Sequence, residues 1–283
     1  MSVTMMGTEV AAAMRELLTS EVQELKERGV NPCLGIVRVG TRPDDLAYER
    51  SAKSIMDKIG IDCQVTELPG DITQAELEDS FRRVNENQAI HGILLLRPLP
   101  LNLDEEPLKA MIDPFKDIDC MSPVNIAKVF SGDETGYAPC TPEAVMHMLE
   151  YYDINPEGKK VTIIGRSMVV GKPLSMMLLK KNATVTICHT RTRNMAETCR
   201  NADILIAAAG KARMVQTELV GRDAVVADVG INVDEEGKLC GDVNFDEVQK
   251  KASYISPVPK GVGSVTATVL AKHVIRGAQY FSS

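Results

Sequence analysis

The stretch Val161-Thr-Ile-Ile-Gly-Arg-Ser-Met-Val-Val-Gly-Lys-Pro173 carries residue types that can bind a phosphate. Val161 to Ile164 is rich in β-branched residues and reads as a buried strand that stops at Gly165. Gly171 follows, and Pro173 opens an apolar helical pattern from Leu174 to Leu179. Proline suits the first helical position, where its missing N–H costs nothing. Strand, glycine turn and helix start, in that order, aim backbone N–H groups at an anion. The same glycines also serve a tight turn for purely geometric reasons.

A second set follows the next β-rich run, Thr184 to Cys188. It reads His189-Thr-Arg-Thr-Arg193 and contains no acid. A site for NAD commonly places a carboxylate here, on the ribose hydroxyls. Guanidinium groups, Arg166 in the turn and Arg191 after the strand, and a neighbouring hydroxyl suit a 2′-phosphate by charge and by forked geometry. NADP is therefore expected, with NAD left open. Solvated loop charge is the plainer reading for Arg191 and the preferred one for Arg193, and Lys172 reads as a surface charge.

These groups need a scaffold. Asn194 to Asn201 reads as a short helix, with strands at Ala202 to Ala209 and Ala224 to Val229, closed by Gly210 and Gly230. Alternating strands and helices predict an α/β fold with a doubly wound parallel sheet, its dinucleotide across the carboxyl ends of the strands. The first half repeats the alternation: helix Met6 to Arg28, strand Cys33 to Val39, helix Asp44 to Ile59, strand Asp62 to Leu68, helix Ala75 to Asn87 and strand Gly92 to Leu96. Thr73 and Glu76 have capping-box spacing. Pro139-Cys-Thr-Pro142 marks the passage between halves, and Pro142 starts a helix to Tyr152. A last helix, Ser264 to Tyr280, follows the loop Pro257-Val-Pro-Lys-Gly-Val-Gly263.

Composition narrows the class. A chain of 283 residues is long enough for two cores. The net charge of −7 argues against a nucleic-acid partner. No apolar run reaches membrane-spanning length, and no secretory signal is visible at the N-terminus. Seven cysteines without Cys-x-x-Cys pairs suit a reducing cytoplasm. The four histidines lack metal-ligand spacing, so no metal site is expected.

Taken together, Gly165-Arg-Ser-Met-Val-Val-Gly-Lys-Pro173, Cys188-His-Thr-Arg-Thr192, Asp228-Val-Gly-Ile-Asn232, Gly241-Asp-Val243 and Pro257-Val-Pro259 resemble signature segments of the methylenetetrahydrofolate dehydrogenase/cyclohydrolase family. The resemblance covers nearly the full length. It implies two αβ domains with a cleft between them: a folate-binding catalytic domain over 1–141 plus 264–283, and a Rossmann-like NAD(P) domain over 142–263. It also implies a homodimer acting on tetrahydrofolate one-carbon derivatives. Family members oxidise 5,10-methylenetetrahydrofolate by hydride transfer to a nicotinamide, and most hydrolyse the methenyl product to 10-formyltetrahydrofolate. By the same resemblance, Gly165, Arg166, Ser167, Gly171, Thr190, Arg191, Gly210, Gly230 and Ile231 would hold the cofactor. Tyr48, Leu96, Asp119, Pro257, Val258, Gly261 and Thr266 would hold the substrate, with Tyr48 and Asp119 serving the chemistry.

The first half departs from the family pattern. Tyr48 fits the family's tyrosine, but the lysine expected four residues on is Ala52. Lys53 is turned about 100° away on a helix. The family's glutamine position reads Leu96. Arg97 follows it, and successive strand residues face opposite sides. Cys120 stands for a glycine after Asp119, while Lys260 and Ser264 stand where glycine and proline are usual. Tyr48 could stack on the folate ring, and Asp119 could accept two N–H bonds from the pterin edge. The plainer readings are a core tyrosine and a turn aspartate bonding its own backbone.

Hydride transfer rests mainly on positioning. Hydrolysis also needs a polarised water and proton transfer, and alanine and leucine offer neither donor nor acceptor. The expectation is therefore a dehydrogenase with weak or absent cyclohydrolase activity. The alternatives are an ordinary bifunctional enzyme using Lys53 or Arg97, a dehydrogenase for another small substrate, and a silent nucleotide- or folate-binding relative.

Overall fold

The computed structural model describes residues 2–282. In chain order its first elements are β1 (Val3–Thr4), α1 (Gly7–Glu27), β2 (Cys33–Val39), α2 (Pro43–Ile59), β3 (Asp62–Leu68), α3 (Gln74–Glu86), β4 (Gly92–Leu95), α4 (Glu106–Met111) and α5 (Pro123–Ser131). There follow α6 (Cys140–Tyr151), β5 (Lys160–Ile164), α7 (Gly171–Lys180), β6 (Thr184–Cys188), α8 (Met195–Arg200), β7 (Ile204–Ala207) and β8 (Val225–Asp228). The last are β9 (Asn232–Val233), β10 (Leu239–Cys240), α9 (Phe245–Val248), β11 (Tyr254–Ile255) and α10 (Gly263–Phe281).

The chain divides into two compact units. One comprises residues 13–129, 133–140 and 267–283, the other 1–12, 130–132 and 141–266. The first holds a parallel three-stranded sheet in the order β3-β2-β4. Its central strand β2 is buried along its whole length, as a strand covered on both faces must be. The edge strand β3 alternates between exposed and half-buried positions. Arg38 of β2 is buried and paired with the buried Glu49 of α2 at 2.7 Å, and with Glu67 of β3 at 3.0 Å. A buried guanidinium is costly unless paired, so this contact fixes α2 over the sheet. The capping box of α3 forms as the spacing predicts, with Thr73 and Glu76 each bonding the other's backbone.

The second unit holds a six-stranded parallel sheet in the order β1-β11-β8-β7-β5-β6. Strand order reverses at β5, which lies between β6 and β7. That is the switch point where α/β sheets take ligands, and the glycine turn leaves β5 there. Several expectations shift: residues 130–132 and 264–266, assigned from sequence to the folate-binding domain, group with this unit, and the helix read from Pro142 starts at Cys140. Residues 1–12, assigned from sequence to the folate-binding domain, group with this unit because β1 pairs in parallel with β11. Helix α7 starts at Gly171, ahead of Pro173, and the N–H of Val170 is taken by the Ser167 hydroxyl at 3.0 Å.

Candidate active site

In the unit built on β3-β2-β4, α2 buries Asp45, Glu49, Ala52, Met56 and Ile59 along one stripe. Tyr48 stands at its margin, one turn before Ala52, so the two project alike. Tyr48 is 37 % exposed. It is not the core residue of the plainer reading. Burial of its phenol end raises its pKa, and the charge of Asp119 adds to the rise while Arg97 opposes it. Tyr48, Asp119 and Arg97 therefore share one neighbourhood.

The two aspartates of Asp117-Ile-Asp119 divide the work. Asp117 is fully buried and accepts from the N–H groups of Met121 (2.8 Å) and Ser122 (2.9 Å) and from the Asn125 amide (2.9 Å). Burial raises its pKa against those donors. It is the turn aspartate. Asp119 is the open one. It accepts from the Cys140 N–H at 3.4 Å and from the Arg97 guanidinium at 3.5 Å, both long. Cys120 after it is buried with φ of 56°, in the left-handed region that favours glycine. Burial is the main cause that raises its thiol's pKa, so it is no ready thiolate.

The lysine and glutamine positions are apolar and closed. Ala52 is 0 % and Leu96 4 % exposed. Lys53 is exposed on another face of α2, where its charge acts on Cys63 of β3. The sequence argument that Arg97 faces away does not hold. Leu96 makes the last bond of the ladder, from its N–H to the Val37 carbonyl at 3.0 Å. Arg97 lies past the end of β4, where strand alternation no longer applies, and it turns onto Asp119. The prolines of Arg97-Pro-Leu-Pro100 were the available signal that the strand had ended.

In the other unit the glycine turn is tight. A Cβ on Gly165 would lie 2.1 Å from the Ala208 carbonyl oxygen, and one on Gly171 would lie 2.2 Å from that of Gly165. Both glycines therefore have a packing reason; the Gly165 N–H is taken by the Cys188 carbonyl at 2.9 Å, and Gly171 opens α7. Arg166, Ser167, Thr190 and Arg191 are exposed, and among the described residues neither arginine makes an ion pair. The Arg191 N–H bonds His189 Nδ1 at 3.1 Å, which curls the 189–192 loop.

Gly210 and Gly230 are held by a pair of buried aspartates that sequence reasoning did not single out. Asp242 accepts from the N–H groups of Ala209 (2.6 Å), Gly210 (3.0 Å) and Lys211 (2.7 Å) and from the Asn232 amide (2.9 Å). Asp228 accepts from the N–H groups of Gly230 (3.0 Å), Asp242 (3.0 Å) and Val243 (2.9 Å). Burial pushes Asp228 up to about 7, those backbone donors oppose the rise, and the Asp242 charge adds to it. Gly230 and Gly241 pack directly on these acids. A Cβ on either glycine would meet a carboxylate oxygen, at 2.2 and 1.9 Å.

Ile231 beside this knot is 67 % exposed. Pro257 and Val258 are half-buried, Gly261 is buried against the Pro257 carbonyl, and Thr266 is half-buried on α10. Lys260 is exposed with φ of 76°. Among the described residues no cluster of histidine, cysteine or acids could hold a metal. No helix there is long and apolar enough to cross a membrane.

Comparison with known proteins agrees over both units. Residues 139–282 match the tetrahydrofolate dehydrogenase/cyclohydrolase NAD(P)-binding domain, and residues 5–119 match the catalytic domain of the same name. The chain is 52 % identical over 279 residues to the bifunctional protein FolD of Alkaliphilus oremlandii, covering 99 % of this chain and 98 % of that one. It is 54 % identical over 273 residues to FolD of Clostridioides difficile, covering 96 % and 95 %. Among solved structures, the bifunctional FolD methylenetetrahydrofolate dehydrogenase/cyclohydrolase of Campylobacter jejuni superposes with a TM-score of 0.97 at 38 % identity, covering 99 % of each chain. The Trypanosoma brucei enzyme, complexed with NADP cofactor and inhibitor, gives 0.93 at 36 % identity, covering 99 % of this chain and 98 % of that one.

Proposed function

Because the chain belongs to the tetrahydrofolate dehydrogenase/cyclohydrolase family, we propose that it oxidises 5,10-methylenetetrahydrofolate to the methenyl form with NADP and hydrolyses that product to 10-formyltetrahydrofolate. The observation that carries the folate assignment is the neighbourhood of Tyr48 and Asp119. An open aromatic face and a half-exposed carboxylate with only long bonds are brought together in one unit. Tyr48 offers the pteridine a flat apolar face. Asp119 has acceptor capacity left for two parallel N–H groups of the pterin edge.

The cofactor assignment rests on the other unit. The turn from Gly165 through Ser167 to Gly171 leads the chain to the start of α7, where backbone N–H groups suit a pyrophosphate. Arg166 and Arg191, unpaired and without a neighbouring acid in the 189–193 loop, suit a 2′-phosphate. The NADP-bound relative supports the same choice over NAD. When bound, NADP supplies a nicotinamide ring that accepts hydride. The chain's own part is to hold the two reactants and keep loops 209–211 and 230–232 in place through Asp242 and Asp228.

On hydrolysis, the relatives named as bifunctional at about half identity support the two-step reading. One observation favours a second reading, in which the chain oxidises but does not hydrolyse. Ala52 and Leu96 are closed and apolar where water would be activated. Purified protein given methylenetetrahydrofolate and NADP tests the first step by NADPH formation. Methenyltetrahydrofolate given alone, followed at its absorbance band, tests the second. Absence of NADP reduction would overturn the assignment. Hydrolysis no faster than buffer would leave the dehydrogenase and replace the two-step reading with the second.

A further inference from the structure

In the folate-side unit Arg97 turns onto Asp119, and its charge acts on Tyr48. Arg97 lies past the end of β4 with its side chain 24 % exposed. Its guanidinium reaches Asp119 at 3.5 Å and comes only within 4.0 Å of Glu105. Glu105 already has a partner in Lys109, which also bonds Glu106 at 2.8 Å. Arg97 is therefore held loosely. A guanidinium has five N–H donors, and a long contact to one carboxylate leaves most of them for another oxygen.

Resting on the two-step reading above, we propose that Arg97 is the catalytic cation of methenyl hydrolysis. Its N–H groups hold and polarise the attacking water beside Tyr48. A lone pair of that water forms the new C–O bond at the methenyl carbon, and the C=N π pair returns to nitrogen. A proton from the oxygen leaves to solvent. As the C–N5 bond breaks, the remaining hydroxyl proton also leaves to solvent, the oxygen forms the C=O bond, N5 takes up a proton, and the carbon becomes the N10 formyl group. One water is consumed and one proton is released overall, with no oxidant needed. A guanidinium stays charged and does not relay protons, so solvent carries them. The role is electrostatic, toward oxygen, as in other preorganised donor sites.

The test compares Arg97→Met, which keeps the apolar stem, and Arg97→Lys, which keeps the charge, with the unaltered full-length protein. Methenyl hydrolysis and NADP-dependent oxidation are measured separately, with thermal unfolding as the check on folding. The ratio of hydrolysis to oxidation is expected to fall at least tenfold in Arg97→Met and to recover most of that loss in Arg97→Lys. An unchanged ratio in Arg97→Met, with both rates falling together or neither falling, would show that Arg97 serves only to hold Asp119. That overturns the proposal and leaves the two-step reading intact. No hydrolysis above buffer in the unaltered protein would overturn both. If Arg97→Met does not fold, an Arg97→Lys ratio no better than one tenth of the original overturns the proposal.

Discussion

The two units use carboxylates in opposite ways. In the nucleotide unit Asp242 is 0 % exposed and accepts four bonds between 2.6 and 3.0 Å, while Asp228 beside it accepts three. Every donor is a backbone N–H or the Asn232 amide at the start of β9, so these acids act as joints between neighbouring segments. In the folate-side unit Asp119 is part-exposed and holds two long contacts of 3.4 and 3.5 Å. The contrast recurs two residues away, where Asp117 is buried and saturated. A buried acid with short bonds has nothing left to offer a ligand. A half-open acid with long bonds can exchange partners when one arrives.

The contrast breaks most visibly if the joints are removed. Asp242→Ala leaves loop N–H groups without acceptors and is expected to cost about 3 kcal/mol or more of unfolding free energy, measured by urea denaturation. A loss under about 1 kcal/mol would mean the knot is not structural. Titration probes the same joint. Asp228 sits at about 7 in the folded chain, above its usual 3.8. The folded state therefore binds its proton more tightly. That contribution is complete below about pH 4 and is lost as pH rises through 7. Asp117, also raised, adds in the same direction. Unfolding free energy measured from pH 5 to 8 should carry this decline, and a rise through that window would contradict it.

Asp119→Asn addresses the other side of the contrast. Replacing a charged acceptor by an amide should lower kcat/KM for methylenetetrahydrofolate roughly 10–100-fold. NADP affinity should stay unchanged and stability nearly so. A large stability loss would make Asp119 a second Asp117. A smaller effect is expected from placing Lys at 52 and Gln at 96. Hydrolysis should rise about tenfold and more than oxidation does, since donors and acceptors return to a closed apolar wall. The smallest concerns Lys260, exposed at φ of 76°. Lys260→Gly should stabilise by about 1 kcal/mol, read from the denaturation midpoint.

Much of the scaffold was legible because its signals are local. The strands Cys33–Val39, Asp62–Leu68 and Thr184–Cys188 have the bounds that their β-rich runs predict, and the Thr73–Glu76 box forms as spaced. The two-residue pair β1 and β11 carries too little pattern to be read, and it moved residues 1–12 to the other unit. Short α4 and α5 were missed for the same reason. Of the candidate site, the closed positions 52 and 96 were readable from residue type. Arg97 was misread because alternation was extended past the strand's end. Asp242 was missed because its donors come from loops some thirty residues away, which no local pattern reveals.

The most direct test follows NADPH and methenyltetrahydrofolate at once, in a single reaction of purified protein with methylenetetrahydrofolate and NADP. The account predicts that NADPH forms and that methenyltetrahydrofolate passes on to 10-formyltetrahydrofolate faster than in buffer. NADPH failing to form, with folate and nucleotide both present, would contradict it.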